Sequence, residues 1–196
     1  MNKREQQKLE TKEKIIDIAT NLFSENGFSE VSTLDVAKKA GVSHGTIFSH
    51  FKSRDELIFA VVERFSAKLL TRINTLMSED MSLKEIITIH LSSLLDYEDF
   101  YRELIIVSPR LTGRAKNQYI FLMSSISEII SCAKEEQTKL ESNAIFTTWV
   151  SLLHYHLTSR PLFSPGESVI EKKGKEIKKL FMSLVMDKKE MEGQNE

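Results

Sequence analysis

The sequence lacks most of the features that would force a special architecture. One cysteine in 196 residues, Cys132, leaves no internal disulfide to form. It reads as a small packing residue rather than a nucleophile. No apolar run approaches the roughly 18 residues needed to span a bilayer. The opening stretch MNKREQQKLETKEK has no apolar core of the kind a secretory signal carries, so a cytoplasmic location is expected. Three prolines and seven glycines are few against 41% hydrophobic and 28% charged residues, which points to an ordered, helix-dominated protein. A formal net charge of −1 gives no whole-molecule sign of a polyanion binder, and charge has to be read locally. No metal-ligand spacing, nucleophile elbow or phosphate-binding glycine loop appears. An enzyme is therefore not expected, nor is a cofactor or a metal.

What is present is helical periodicity with clear punctuation. From Lys8 to Asn26, the apolar residues Leu9, Ile15, Ile16, Ala19, Leu22 and Phe23 fall on one helical face. Asn26-Gly27 ends that helix, and Phe28 is placed to fold back on it. Ser32 and Asp35 form a capping-box pattern for a second helix running to about Ala40. This helix carries Leu34, Val36, Ala37 and Ala40 as its apolar set, with Lys38 and Lys39 outward. Gly41 stops it, Val42 is available to plug the core, and Ser43 can cap a short third helix from His44 to His50. Two short helices joined through a glycine turn and leaned on a longer one make a helix-turn-helix unit.

The third helix separates this unit from an ordinary helical hairpin. Ile47 and Phe51, four apart, face the core together, which turns His44, Gly45, Phe48 and Ser49 outward. A glycine and a phenylalanine make a poor solvated face and a plausible DNA-reading one. Gly45 permits close backbone approach, Ser43 and Thr46 offer hydroxyls, and His44 can donate to a base edge. No acid occurs between Asp35 and Asp55, while Lys38, Lys39, Lys52 and Arg54 supply positive charge. Weak, salt-sensitive binding to any DNA follows from such a stripe.

The stretch TLDVAKKAGVSHGTIFSHFKSRDEL, with LFSENGF before it, resembles the DNA-binding signature of the tetracycline-repressor (TetR) family of transcriptional regulators over about residues 10–60. The resemblance implies an all-α protein: a three-helix DNA-binding domain over residues 1–53 and a helical effector-binding and dimerisation domain over residues 54–196. It implies phosphate contacts from Thr33 and Ser43, with His44, Gly45 and Thr46 at or near base edges. His50 resembles the family histidine that approaches phosphate, and Lys52 and Arg54 resemble its basic pair. Phe48 stands where a tyrosine is usual, and Leu34 where some members carry a base-reading arginine. Apolar contact to a thymine methyl is what Phe48 can offer instead.

Behind this segment the periodicity predicts a fourth helix over 54–78 and, after a Ser82/Glu85 capping box, a fifth to about Leu95. A sixth opens in DYEDFYREL and is ended or bent by Pro109. Further helices are expected from Thr112 to Gln137, from Ser142 to Ser159 and from Glu167 to Lys188, with SRPLFSPGES as a break before the last. Apolar residues at 145–157 cover more than one side of their helix, wider than a single buried stripe requires. That width suggests a second chain, and the resemblance implies a homodimer through the last two helices on a palindromic double-stranded operator. It also implies a small-molecule effector, for which Phe100, Tyr101, Tyr119, Met123, Trp149 and His154 are the candidate lining. Few basic residues interrupt the central apolar positions, which favours an apolar or mixed aromatic ligand. The expected function is a ligand-responsive repressor; the alternative is a helical adaptor that binds protein partners and no DNA.

Overall fold

The computed structural model describes residues 2–134 and 138–187. Among the described residues the regular structure is helical, with one isolated bridge between Thr138 and Met186 and no strand. The chain divides into two compact units: Met1–Lys68 with Asp99–Phe121, and Leu69–Glu98 with Leu122–Glu196.

The first unit begins with α1 (Lys3–Asn26), five residues earlier than the apolar periodicity indicates. The first turn is polar and so carries no periodic signal. It is set by a capping box, in which the Asn2 side chain accepts from the Glu5 amide and the Glu5 carboxylate accepts from the Asn2 amide. Ile15, Ile16, Ala19 and Phe23 face inward. Gly27 has φ +82°, and a Cβ there would lie 2.9 Å from the Glu103 carboxylate. The positive φ is what favours glycine, since the carboxylate is the end of a flexible side chain that can move aside. Phe28 does fold back, stacking on Phe23 at 4.5 Å between ring centroids.

α2 (Thr33–Ala40) and α3 (His44–His50) have the bounds their caps predict. Leu34, expected among the apolar set of α2, is instead 44% exposed, because Val36, Ala37 and Ala40 already fill the buried side. α4 (Arg54–Leu76) opens in this unit and continues into the second, two residues shorter than expected. Near its first half, Arg64 pairs with Glu13 and Asp17 of α1. α6 (Glu98–Val107) leads into a 3-10 turn at Ser108–Arg110, where Pro109 lies. α7 (Gly113–Ser131) follows.

The second unit is built on α5 (Leu83–Leu94), α8 (Ser142–Thr158) and α10 (Val169–Val185). α5 has the predicted Ser82/Glu85 capping box and continues as a 3-10 turn over Leu95–Tyr97. Trp149 of α8 is fully buried, donates its indole N–H to His90 Nδ1 of α5 at 3.0 Å and meets Phe181 of α10 edge-on at 5.2 Å. The buried Glu98 carboxylate accepts from the amides of Val169 (2.7 Å) and Ile170 (3.0 Å) and from the Ser168 hydroxyl (2.5 Å). A negative charge at the start of α10 complements that helix end.

Several expectations change in this unit. The break SRPLFSPGES contains a short helix, α9 (Arg160–Phe163), whose Pro161 sits in the first turn where its missing N–H costs nothing. The last helix begins two residues later than expected, because Ser168 is its cap. Cys132 is exposed beyond the end of α7 rather than packed. α7 and α10 also end early, at Ser131 and Val185, with described non-helical residues after each, short of the expected ends at Gln137 and Lys188, which themselves lie outside the described residues.

Candidate nucleic-acid interface

The turn between α2 and α3 follows from two residues. Gly41 takes the left-handed conformation (φ +68°, ψ 34°), and its amide and that of Val42 donate back to carbonyls of Ala37 and Lys38. Ser43 then caps α3: its Oγ accepts from the Thr46 amide at 3.1 Å and lies 2.8 Å from the Thr46 hydroxyl. Val42 is half-buried beneath this turn. Ile47 is fully buried and Phe51, the C-cap, nearly so. These two anchors fix the rotation of α3. His44, Gly45, Phe48 and Ser49 consequently lie on the exposed side.

The exposed face is internally tied. His44 Nε2 and Thr33 Oγ1 are hydrogen-bonded at 2.9 Å, which joins the first residues of α2 and α3. The His44 ring also meets Phe48 edge-on at 4.9 Å, and Phe48 remains 46% exposed. Leu34 is likewise exposed, at the start of α2. The Ser49 hydroxyl donates to the Thr46 carbonyl, which leaves its lone pairs outward. Nothing approaches Gly45 closely: a Cβ there would find only the Ser43 Oγ, at 3.8 Å.

The basic residues expected to flank this face separate into two kinds. Lys38, Lys39 and Lys52 are exposed. Arg54 turns inward, where its guanidinium donates to the carbonyls of Phe28 and Val31 and clamps the turn before α2 to the start of α4. His50 is half-buried, and burial first, then the charges of Lys8 and Lys12, hold its pKa below the ordinary value. Sequence reasoning missed those two lysines. They line a cleft of about 400 Å³ together with Glu5, Leu9, Ser49 and His50. Only tertiary packing of α1 beside α3 brings them there, although their i, i+4 spacing places both on one face.

The six residues expected around an effector divide between the units. Phe100, Tyr101 and Tyr119 belong to the first, and Met123, Trp149 and His154 to the second. Phe100 is buried between Phe28 (5.6 Å) and Phe65 (4.9 Å), and Tyr101 lies 6.0 Å from Phe65. Burial pushes both tyrosine hydroxyls up in pKa, with a hydrogen bond to Ser108 opposing the shift at Tyr119. Met123 is half-buried. Burial holds His154 down to about 4 and His90 to about 3, so both imidazoles are neutral at ordinary pH. His90 and Ser93 were not singled out in the sequence. The available signal was two polar residues inside the otherwise apolar stripe of α5.

A short capped helix presented on a glycine turn defines a helix-turn-helix DNA-binding class. Residues 15–61 match the family described as bacterial regulatory proteins, tetR family. Over this segment the chain is similar to the DNA-binding part of TetR-family regulators. An HTH-type transcriptional regulator of Staphylococcus aureus is 30% identical over 90 residues, covering 46% of this chain and 49% of the relative. The match thus spans about half the length of that relative. Among solved structures, the fatty acid degradation regulator FadR of Bacillus halodurans superposes with a TM-score of 0.69 at 17% identity, covering 87% of this chain and 93% of that one. FadR of Bacillus subtilis, solved in complex with stearoyl-CoA, gives 0.65 at 19% identity, covering 87% and 97%. At these identities the likeness concerns the fold alone. No helix among the described residues is long and apolar enough to cross a membrane.

Proposed function

We propose that this protein is a dimeric, sequence-specific transcriptional repressor whose operator affinity is set by a small-molecule effector. The observation that carries the reading is the exposed face of α3, where Ile47 and Phe51 anchor the helix and His44, Gly45, Phe48 and Ser49 are left for a groove. Residues 1–53 read DNA in this account, and residues 54–196 bind the effector and dimerise. His44 and Thr46 reach base edges, and Thr33, Ser43, Ser49, His50 and Lys52 meet phosphates. Leu34 and Phe48 give apolar contact. Lys8 and Lys12 join the phosphate set because they share a cleft with His50, while Arg54 braces the turn that orients α2. The protein works in the cytoplasm, where its operator is.

Support for the dimer comes from α8 and α10. Phe146 and Val150 are only half-buried, and Leu180 and Leu184 stand in water at 44% and 46% exposure. Covering these side chains with the same helices of a second chain removes apolar area from water on a two-fold axis. Two recognition helices then meet two half-sites one helical turn apart. The effector acts by favouring an arrangement in which α4 holds the recognition helices at a spacing that no longer fits the operator.

Fluorescence anisotropy with a labelled operator tests the division of roles. His44→Ala should change preference at one base position, and Lys52→Ala should weaken binding to every sequence alike. Unchanged affinity and preference in both variants would overturn the assignment. Equal operator affinity with and without a bound ligand would overturn the effector mechanism.

A further inference from the structure

The first unit holds a group of cations that its own carboxylates do not answer. Lys8 and Lys12 of α1 and His50 at the end of α3 line one cleft of about 400 Å³, whose walls are completed by Glu5, Leu9 and Ser49. Lys12 reaches over the end of α3, its Nζ 5.9 Å from the centre of the Phe51 ring. The acids of the same stretch of α1 are turned to other partners. Glu5 caps the helix by accepting from the Asn2 amide, Glu10 accepts from the Gln6 side chain, and Glu13 and Asp17 both pair with Arg64 of α4. Among the described residues no ion pair holds Lys8 or Lys12, and no hydrogen bond holds the His50 ring.

His50 is the side chain of this cleft whose charge changes near neutral pH. The groups that face it are Glu5, Lys8 and Lys12 from α1, with Ser49 and Phe51 from its own stretch of chain. Burial, and then the charges of Lys8 and Lys12, favour its neutral form in the free protein. An anion entering the cleft reverses the second influence, because it offsets both lysine charges and offers the imidazolium an oxygen to bond. A DNA backbone phosphate is a permanent anion that flanks any helix lying in a groove. α3 ends at His50, so the cleft lies where the exposed face of that helix runs out.

We propose that this cleft grips one backbone phosphate of bound DNA between Lys8, Lys12 and a protonated His50, so that DNA binding takes up a proton. The inference rests on the DNA-binding reading and adds a regulation to it: affinity climbs as pH falls. The sign follows from linkage, since His50 holds its proton more readily beside the phosphate than in the free protein, and acid therefore favours the complex. His44, the other histidine of α3, bonds to Thr33 outside this cleft.

A phosphate contact does not depend on sequence, so a labelled duplex of mixed sequence suffices as the probe. Its affinity for the full-length protein is measured by fluorescence anisotropy at constant ionic strength. From pH 8 to pH 6 affinity should rise at least about threefold. His50→Gln should hold it level to within about twofold, and His44→Gln should keep the rise. Titration calorimetry in buffers of different ionisation enthalpy should show the protein taking up more protons on binding than His50→Gln does. A merely structural role for His50 would lower affinity alike at every pH and leave the proton count unmoved. Affinity that stays level from pH 8 to pH 6, or a rise that survives His50→Gln, would overturn the inference and leave the DNA-binding reading standing. No binding to the duplex at either pH, down to the lowest salt, would overturn that reading and the inference with it.

Discussion

Two histidines, each joined to a neighbouring helix, show how differently the two units use polarity. His44 bonds to Thr33 at the surface, and His90 accepts from Trp149 in a core. At the surface, water competes for every group, so one hydrogen bond contributes little to stability and the face can be spent on recognition. In the core the same kind of bond fixes a tautomer and leaves an N–H that costs about 1–3 kcal/mol if unpaired. The lesson is that polar residues on α3 gain meaning from what they expose together. On α5 they gain it from what they leave unsatisfied.

Substitutions should separate the regions sharply. Trp149→Ala empties a fully buried site and removes the donor to His90, which should lower unfolding free energy by about 3–5 kcal/mol in urea titrations. His44→Ala, on the exposed face, should change it by less than about 1 kcal/mol. Comparable losses from both would break the comparison.

Acid should expose the same asymmetry. The folded-state values of His90 and His154 lie near 3 and 4, below the ordinary 6.5. The unfolded chain therefore takes up protons that the folded chain refuses, and stability that is complete above pH 6.5 is lost as pH falls toward 4. From pH 6.5 to 5, each histidine should remove roughly 2 kcal/mol. Urea midpoints that stay level over this range would contradict the burial of these rings.

Smaller effects sharpen the recognition surface itself. Lys8→Ala with Lys12→Ala should reduce the slope of log affinity against log salt by up to about 2, if each lysine neutralises one phosphate. An unchanged slope would confine the DNA contacts to α2 and α3. Phe48→Tyr adds a hydroxyl where Phe48 is exposed, and a gain of about 0.5–1.5 kcal/mol in operator binding is expected if that hydroxyl reaches phosphate. Anisotropy titrations at fixed salt decide it.

The contrast also explains what could be read from the sequence. Caps are local, so Ser32 with Asp35, Gly41, Ser43 and Ser82 with Glu85 announced helix ends that the structure repeats. The outward side of α3 was equally legible, because Ile47 and Phe51 set its rotation. The polar first turn of α1 and the four-residue α9 carry too little periodicity to be seen. Arg54 turning toward Val31, Lys8 and Lys12 beside His50, and Trp149 reaching His90 across 59 positions of sequence are tertiary facts. No local pattern encodes them. The candidate effector lining was the least legible part, since buried aromatics such as Phe100 look the same in sequence whether they pack a core or line a site.

The most direct test of the central claim is selection of binding sequences from random double-stranded DNA at moderate salt, with sequencing of what the purified protein retains. The account predicts an enriched motif with two-fold symmetry and half-sites about one helical turn apart. No enrichment at any salt, with or without bound ligand, would contradict it and leave the exposed face of α3 to a protein partner.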